Sequence, residues 1–316
     1  MLYTHFTLDE RKVLYELLKE GYSIRKIAEF LDRSPSSISR ELKRNRSKKG
    51  YRPGKAHCIA TERRSKFSCR AIKINSEAYK YIVEKLELSW PPEAICGRWK
   101  MDHPNQKPIH FSTIYRYIKY GLLGTITKDH LRRRGKCPKK KHGGQMTIHP
   151  NRLIREWPKE ISERSRIGDW EGDTITGKIG SGLINTLVDR KSRYLLASKV
   201  DNKTAEANRI VIEKLLKSVP VESISFDNGV EFAEHEFIEK HLNTLVYFAD
   251  PHSPWQRGTN ENTNGLLRYF FPRGYDFRKI TQEEVDVVVN LLNGRPRKCL
   301  GWNTPSEIFN QSVALT

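Results

Sequence analysis

Two acidic residues in the C-terminal half of the chain lie in settings that suit a metal ligand. Asp227 begins the triplet Asp-Asn-Gly directly after the short run 224–226, and Glu261 lies 34 positions later in a stretch with helical character, 261–268. Asp173 is a third candidate upstream. Mg²⁺ prefers hard oxygen ligands, and two such ions can activate the attacking oxygen and stabilise the leaving oxygen of a phosphodiester. If the carboxylates converge, we expect a centre that cleaves phosphodiesters.

The residues alone leave the identity of the first ligand open. Asp169, Glu171 and Asp173 fall at every second position of a predicted strand, 169–176, so all three share one face. Asp227 is expected at the carboxyl end of its strand, where α/β sheets usually place their ligands. Each acid by itself is also compatible with a surface charge or a turn, and Asp-Asn-Gly is an ordinary turn signal.

The elements that must position these acids alternate between strands and helices. Three early strands followed by alternating helices and strands predict a mixed five-stranded sheet covered by helices, an order that matches an RNase H-like α/β domain. The predicted strands are 169–176, 183–188, 194–200, 223–226 and 245–248, and the predicted helices are 204–218, 234–242 and 258–270.

Positive charge is concentrated in the first half of the 316-residue chain, whose net charge is +20. Residues 1–150 carry 34 Lys and Arg against 14 Asp and Glu, whereas residues 151–316 carry 23 of each kind. Lys and Arg gain free energy by releasing counterions condensed on nucleic acid, so a basic arm on a neutral domain indicates a polyanionic partner. Together with the helix-turn-helix pattern of the first 46 residues, this charge indicates double-stranded DNA as the partner. An anionic membrane would attract the same charge, but no amphipathic anchor accompanies it.

The first 46 residues predict a helix-turn-helix domain. Thr7 and Glu10 form a possible capping box, Ser23 opens a second helix, and Ser34 caps a third helix that has Pro35 at its first position. The third helix is polar and cationic on its outer side, as suits a helix that enters a major groove. A three-helix bundle with a solvated charged face is the alternative. The predicted DNA contacts are Ser36, Ser37, Arg40, Lys43 and Arg44.

A second helix-turn-helix is predicted for residues 76–125. Ser112 is expected to cap a helix over 113–120 that ends at Gly121, and Arg116 and Lys119 are its candidate DNA contacts. The alternative is a helical spacer whose aromatic residues form a small core.

Two basic linkers are expected, at 47–75 and 126–165, ahead of a catalytic domain with a C-terminal helix and tail at 166–316. The second linker contains the run 132–144, which has seven cations and no acid and therefore does not pack. Whether this run also follows DNA phosphates stays open.

Several classes of protein are disfavoured by the sequence. The five cysteines are widely spaced without a Cys-x-x-Cys pair, which indicates neither a disulfide scaffold nor a zinc finger. No run approaches the roughly 18 apolar residues of a membrane span, and the apolar core of a signal peptide is missing. No Gly-rich phosphate loop points to a nucleotide cofactor. We expect a soluble protein of a reducing cytoplasm.

Four stretches carry a family resemblance: 34–45, 168–177, 227–233 and 252–265. They occur in this order across nearly the whole chain, with 33 residues between Asp227 and Glu261. Together they resemble bacterial transposases of the insertion-sequence-30 family, members of the DDE superfamily that includes retroviral integrases. The resemblance implies that Asp173, Asp227 and Glu261 form a catalytic triad that binds Mg²⁺, with Mn²⁺ as a substitute. It also implies that Arg268 contacts DNA near the scissile phosphate.

The same resemblance implies a transposase that binds the terminal inverted repeats of its element, cleaves the DNA there and transfers a freed 3′-hydroxyl to target DNA. Pairing two element ends requires at least two protein copies, so a homo-oligomer on DNA is expected. Two alternatives are a DNA-binding regulator whose RNase H-like half is only a scaffold, and a nuclease that cuts without joining.

Overall fold

The computed structural model describes residues 5–47, 50–70, 74–132, 152–250 and 253–314, without the side chains of residues 65–70, 254 and 255. These residues form two compact units, Met1–Ser76 and Glu77–Thr316. The first unit is helical, and the second contains a five-stranded sheet.

The first unit begins with three short helices that have the predicted caps. Its helices are α1 (Leu8–Lys19), α2 (Ile24–Phe30), α3 (Pro35–Asn45) and α4 (Pro53–Arg70). Thr7 and Glu10 form a reciprocal capping box at α1, and the hydroxyls of Ser23 and Ser34 cap α2 and α3. These caps satisfy backbone N–H groups that a helix leaves unpaired at its start. The buried core consists of Leu14, Ile27, Ala28 and Ile38.

Helix α4 lies in the stretch 47–75, where we expected a basic linker. It contacts α1 and α3, and Ala56 on it is fully buried. Arg63 donates hydrogen bonds to the Asn45 Oδ1 atom at 3.1 Å and to the Arg44 carbonyl oxygen at 2.6 Å. The many cations of this stretch obscured a helical spacing of small and apolar residues that packs against the neighbouring helices.

The second unit starts with helices and continues into the sheet. Its helices are α5 (Ser76–Glu87), α6 (Pro92–Asp102), α7 (Phe111–Lys119), α8 (Lys159–Glu163), α9 (Ala205–Leu216), α10 (His235–Leu242), α11 (Gly258–Phe270), α12 (Gln282–Asn293) and α13 (Pro305–Val313). Its strands are β1 (Asp169–Thr176), β2 (Leu183–Asp189), β3 (Leu195–Val200), β4 (Ser223–Phe226) and β5 (Leu245–Phe248). All the strands and helices predicted for this half are confirmed, within two residues at their ends.

The sheet has the strand order β3-β2-β1-β4-β5. Strands β1, β2 and β3 pair antiparallel, whereas β4 pairs parallel to β1 and β5 pairs parallel to β4. This mixed sheet with helices on its faces is the predicted RNase H-like arrangement.

Alternation along β1 assigns its residues to the two faces of the sheet. Ile175 packs in a core formed with α11 and α12, and Trp170 packs in a second core formed with α9, α10 and α13. The odd-numbered residues of β1 therefore point toward α11. Gly172 is required on the opposite face, because a Cβ atom there would lie 2.3 Å from the Phe226 ring.

The helices α5 to α7, which cover most of the predicted second helix-turn-helix, belong to the same compact unit as the sheet. Arg98 of α6 forms a bidentate ion pair with Glu307 of α13, at 2.7 and 2.8 Å. A Cβ atom at Gly97 would lie 2.2 Å from the Trp302 side chain, so α6 approaches the loop before α13 closely. These contacts attach the helices to the unit that contains the sheet.

Part of the predicted linker at 126–165 is also packed. Leu153 forms an isolated parallel bridge with Phe248, and Ile154 and Ile161 are buried in one small core cluster. Apolar residues at these positions therefore join this stretch to β5. Residues 133–144 of the cationic run lie outside the described residues. Among the helices that are described, none is long and apolar enough to cross a membrane.

Candidate active site

Asp173 and Asp227 are brought together by the register of two parallel strands. Glu171 of β1 aligns with Ser225 of β4, and Asp173 and Asp227 each lie two residues further along their segments. Asp227 directly follows the last residue of β4. Both carboxylates therefore lie on the face of the sheet that α11 covers, where parallel strands end.

The other two acids of β1 have structural partners. Asp169 is fully buried and accepts hydrogen bonds from the Ser223 hydroxyl at 2.7 Å and from Arg166 at 3.2 Å. Glu171 is also fully buried, forms an ion pair with Arg190, and accepts a hydrogen bond from the Asn260 N–H group at 3.1 Å. Of the three acids that alternation left open, Asp173 is the one beside Asp227.

Arg257 lies between the two carboxylates. Its Nη1 atom is 3.3 Å from the Asp227 Oδ2 atom, and its Nη2 atom is 3.9 Å from the Asp173 Oδ2 atom. Nη2 also donates a hydrogen bond to the Gly172 carbonyl oxygen. Because the Arg257 residue is only 9% exposed, its guanidinium is a largely desolvated counter-charge shared by both acids.

Asp173 is held in one orientation by two hydrogen bonds. The Thr174 N–H group donates to its Oδ1 atom and the Asn264 amide of α11 donates to its Oδ2 atom, both at 2.7 Å. Thr186 of β2 donates to the Asn264 Oδ1 atom at 3.1 Å, which fixes the amide in turn. Burial raises the pKa of Asp173, Arg257 opposes that change, and the negative charge of Asp227 adds to it.

Glu261, the third predicted acid, lies exposed on α11 and is not part of this cluster. It shares a stripe of the helix with Asn264 and Arg268, at spacings of three and seven residues. The preceding Asn260 is 1% exposed, and neither atom of its side-chain amide has a hydrogen-bond partner among the described residues. The first turn of α11 thus buries an unsatisfied amide while it exposes the glutamate.

The carboxylate oxygens of Asp173 and Asp227 are suitable ligands for a divalent cation. Carboxylate oxygens are the hard ligands that Mg²⁺ and Mn²⁺ accept, and the Arg257 guanidinium already stands in as a cation between them. Within the ranges that the structure describes, no three His, Cys, Asp or Glu side chains are grouped as a ready ligand set. The pair of carboxylates can hold a cation.

Arg268 points its charge toward the same region. Burial lowers the pKa of Arg268, the neighbouring Arg273 lowers it further, and Asp173 raises it. Its Nη1 atom is buried without a hydrogen-bond partner among the described residues. The side chain is therefore a half-buried cation within electrostatic range of Asp173.

The predicted DNA contacts on α3 lie on its outer surface. Arg40 donates a hydrogen bond to the Ser36 carbonyl oxygen at 3.0 Å, which aligns it along the helix. The inner side contains fully buried Ile38 and the buried Glu41. Ser36, Arg40, Lys43 and Arg44 are exposed, and Ser37 is half-buried.

In α7 the predicted cap is wrong. The helix begins at Phe111, and the His110 Nδ1 atom accepts a hydrogen bond from the Ser112 N–H group, so His110 and not Ser112 is the N-cap. An imidazole nitrogen replaces the usual hydroxyl in this role. Of the candidate contacts on this helix, Lys119 is exposed and Arg116 is half-buried.

Two residues near the acids were not assigned from the sequence. Arg257 stands one position before α11, and Glu231 follows Asp227 by four positions. Glu231 accepts a hydrogen bond from the Thr174 hydroxyl at 2.9 Å and contributes negative charge at Asp173. A cation just before the helix of Glu261, and a second acid just after Asp227, were the available signals.

The chain is similar to known proteins in its N-terminal and C-terminal parts. A family model described as a helix-turn-helix domain matches residues 3–45. A solved structure of the catalytic core domain of BIV integrase covers 47% of this chain and 97% of its own, with 24% identity and a TM-score of 0.39.

Curated relatives match along almost the full length. The transposase InsI for insertion sequence element IS30A of Escherichia coli is 39% identical, over 99% of this chain and 85% of its own. The transposase for IS1086 of Cupriavidus metallidurans is 33% identical, over 96% and 94%. The transposase for IS4351 of Bacteroides fragilis is 34% identical, over 98% and 96%. The chain therefore belongs to the insertion-sequence-30 family of transposases, enzymes that cut and join DNA.

Proposed function

We propose that this transposase binds the terminal inverted repeats of its element, cleaves them and joins the freed 3′-hydroxyl to target DNA, with Asp173, Asp227 and Glu261 as the catalytic acids. One observation carries the assignment: carboxylates from two strands share a single guanidinium beneath the helix that bears Glu261. Neighbouring like charges repel one another, so such a pair costs stability unless a cation offsets it.

The chain prepares the two aspartates for a cation. Hydrogen bonds from Thr174 and Asn264 use one lone pair on each oxygen of Asp173, and the Gly229 N–H group holds the Asp227 Oδ1 atom at 3.2 Å. Each carboxylate oxygen keeps a further acceptor site. Mg²⁺ or Mn²⁺ held there would supply Lewis-acid activation of the attacking water or hydroxyl and of the leaving oxygen.

Glu261 and Arg268 complete the proposed site from α11. Glu261 lies three residues before Asn264, and residues at this spacing have Cβ atoms about 5–6 Å apart, within reach of a glutamate side chain. We infer that Glu261 turns toward the aspartates as the third ligand. Arg268, on the same stripe, supplies positive charge to the scissile phosphate.

The helical parts of the protein recognise DNA in this proposal. The exposed face of α3 enters a major groove, and Arg116 and Lys119 of α7 provide further contacts as a second DNA-binding element. Two or more copies assemble on paired element ends. Our proposal keeps the predicted boundaries at 46, 75, 125 and 165, with 47–75 and 126–165 as connections that are partly packed and not free linkers.

Isosteric substitution of the acids tests the catalytic assignment. Asp173→Asn, Asp227→Asn and Glu261→Gln should each lower Mg²⁺-dependent cleavage of an element-end duplex by more than about 100-fold, because a metal ligand is lost. Binding to the same duplex should stay within about threefold of the wild type, as measured in Ca²⁺ by fluorescence anisotropy. Asp201→Asn and Glu206→Gln, exposed acids of the same unit, are the matched controls.

The outcomes separate the alternatives. Cleavage at the wild-type rate by Asp227→Asn would rule out the triad. Specific binding by the wild type without cleavage in Mg²⁺ or Mn²⁺ would identify a regulator. Cleavage without any joined product would identify a nuclease.

The role of α3 is tested by charge reversal. Arg40→Glu and Lys43→Glu should weaken binding to element ends and reduce the dependence of log K on log salt by about 0.9 for each phosphate that the variant no longer neutralises. Lys12→Glu, on an exposed side chain of α1, is the control. Equal losses in all three variants would show that α3 has no special part in recognition.

A further inference from the structure

A loop after α12 holds two buried arginines in fixed positions. The side-chain amide of Asn293 exchanges two hydrogen bonds of 2.8 Å with the backbone of Leu195, which ties the end of α12 to β3. Arg297 then pairs through its backbone with Asn303 at 3.0 Å and with Trp302 at 2.9 Å. The fold therefore places Arg295 and Arg297 on a closed, anchored loop.

Both guanidiniums are poorly satisfied. Arg295 is 6% exposed, and its side chain has no hydrogen bond or ion pair among the described residues. Arg297 donates one hydrogen bond, to the Leu292 carbonyl oxygen at 3.2 Å, and its Nε atom is buried without a partner in that part of the chain. Burying a charge without a partner is unfavourable, and both guanidiniums have hydrogen-bond donors left for an anion.

No acid of this chain supplies the missing negative charge. Every Asp and Glu in the sequence falls within the described ranges, and none of them pairs with Arg295 or Arg297. The nearby charges that act on Arg295 come instead from Arg297 and Arg132. Burial and these cations lower the pKa of Arg295 to about 9, with Tyr269 opposing them. Burial lowers the pKa of Arg297 to about 10, with Cys299 opposing this change and Arg132 adding to it.

The arginines adjoin the helix that carries Glu261. Arg132 donates a hydrogen bond to the Asn262 Oδ1 atom at 3.4 Å, and its Nη2 atom lies 2.9 Å from the point where a Cβ on Gly265 would stand. Arg295 and Arg132 both line the same narrow cleft, beside Leu266 and Tyr269.

We propose that Arg295 and Arg297, with Arg132 at the edge, bind one backbone phosphate of DNA beside α11. Guanidinium groups recognise phosphate oxygens through their planar arrangement of donors, and a phosphate would neutralise charges that the fold buries without acids. The choice of DNA as the source of the phosphate rests on the proposed function, whereas the anion site rests on the loop and its burial alone.

Thermal unfolding of the full-length protein tests the anion site. Wild type, Arg295→Gln and Arg278→Gln are compared in sodium phosphate and in sodium chloride of equal ionic strength. Arg278 is the matched control, because it is exposed and already paired with Asp276 at 2.7 Å. Phosphate should raise the unfolding temperature of the wild type and of the control beyond the rise in Arg295→Gln. In chloride, Arg295→Gln should be at least as stable as the wild type, since it removes an uncompensated buried charge.

DNA binding tests the source of the phosphate. On a duplex of random sequence, Arg295→Gln should make the slope of log K against log salt shallower by about 0.9, the value for one neutralised phosphate. Arg278→Gln should leave the slope unchanged. Arg297→Gln provides the same two readouts if Arg295→Gln does not fold.

A variant that is less stable in chloride and keeps the full phosphate response would overturn the anion site. A missing phosphate response with an unchanged DNA slope would overturn the assignment to DNA. Asp227→Asn separates this inference from the proposed catalysis, because that variant should keep both the phosphate response and the salt slope whatever its cleavage rate.

Discussion

Arg257 should compete with divalent metal for the two aspartates, and Arg257→Gln should therefore bind Mg²⁺ and Mn²⁺ more tightly than the wild type. The guanidinium nitrogens lie 3.3 Å from Asp227 and 3.9 Å from Asp173. An ion pair at about 4 Å contributes about 1 kcal/mol in water and about 4 kcal/mol near a protein surface. The Asp227 and Asp173 side chains are 43% and 25% exposed, so the lower part of this range applies.

A competing interaction of about 1–2 kcal/mol corresponds to a metal affinity about 5- to 30-fold higher in Arg257→Gln. Isothermal titration calorimetry with Mn²⁺ measures it directly, at about pH 8 so that the carboxylates are ionised. In EDTA the variant should unfold at a lower temperature than the wild type, because two neighbouring carboxylates lose their shared counter-charge. Added metal should then stabilise the variant more than the wild type.

Arg278→Gln serves as the control, since it removes the same charge from an exposed position. The double variant Arg257→Gln with Asp227→Asn should lose the gain in affinity, which assigns the effect to this pair of side chains. Unchanged or weaker metal binding by Arg257→Gln would refute the competition. Arg257 would then be a support for the site rather than a stand-in for its cation.

Three further predictions concern packing and ion pairs within each of the two units. Glu41→Ala removes the carboxylate that lies 2.7 Å from the Arg11 guanidinium, which is 2% exposed. The free energy of unfolding of the first unit, measured by calorimetry, should fall by about 3–5 kcal/mol, and binding to element ends should fall with it. A loss below about 1 kcal/mol would contradict this. Gly172→Ala places a Cβ atom 2.3 Å from a ring carbon of Phe226 in β4. The free energy of unfolding in urea should fall by about 1–3 kcal/mol, and the cleavage rate should fall because Asp173 is displaced. Unchanged stability would show that the sheet relaxes freely. The hydrogen bond from Arg98 lowers the pKa of Glu307 below its usual 4.5, so this pair stabilises the fold above that pH and loses its effect as pH falls through the lowered value. The unfolding temperatures of wild type and Glu307→Gln should therefore differ at neutral pH and converge in acid, and a constant difference would count against the ion pair.

Local pattern was sufficient to predict most of the elements. Thr7, Ser23 and Ser34 are helix caps, and the structure has a cap at each of these positions. The strands of the sheet were predictable because their apolar residues pack against covering helices on both faces. Helix α4 was not predicted, because the cations along it outnumber the few small residues that pack.

The partners of the acids could not be predicted from local pattern, since they depend on which distant segments meet. Alternation placed Asp169, Glu171 and Asp173 on one face but could not separate them. Contacts between distant segments distinguish them. Ser223 donates a hydrogen bond to Asp169, 54 positions away, and Arg190 pairs with Glu171, 19 positions away. Long-range pairing of this kind leaves no trace in a local window of sequence.

The exposed position of Glu261 could not be predicted from the sequence either, because it depends on the balance of charges at the site and not on a residue pattern. Helical spacing correctly put Glu261 on the stripe of Asn264, which contacts Asp173. With Arg257 in place, the aspartates already have a counter-charge, and a third carboxylate brought beside them would add repulsion without a ligand to share. The exposed glutamate is thus the expected state of a site whose cation is a guanidinium. In the proposed site, a doubly charged ion in place of that guanidinium would attract Glu261 as the third acid, so the metal affinity of Arg257→Gln and the binding of Glu261 to the metal should change together.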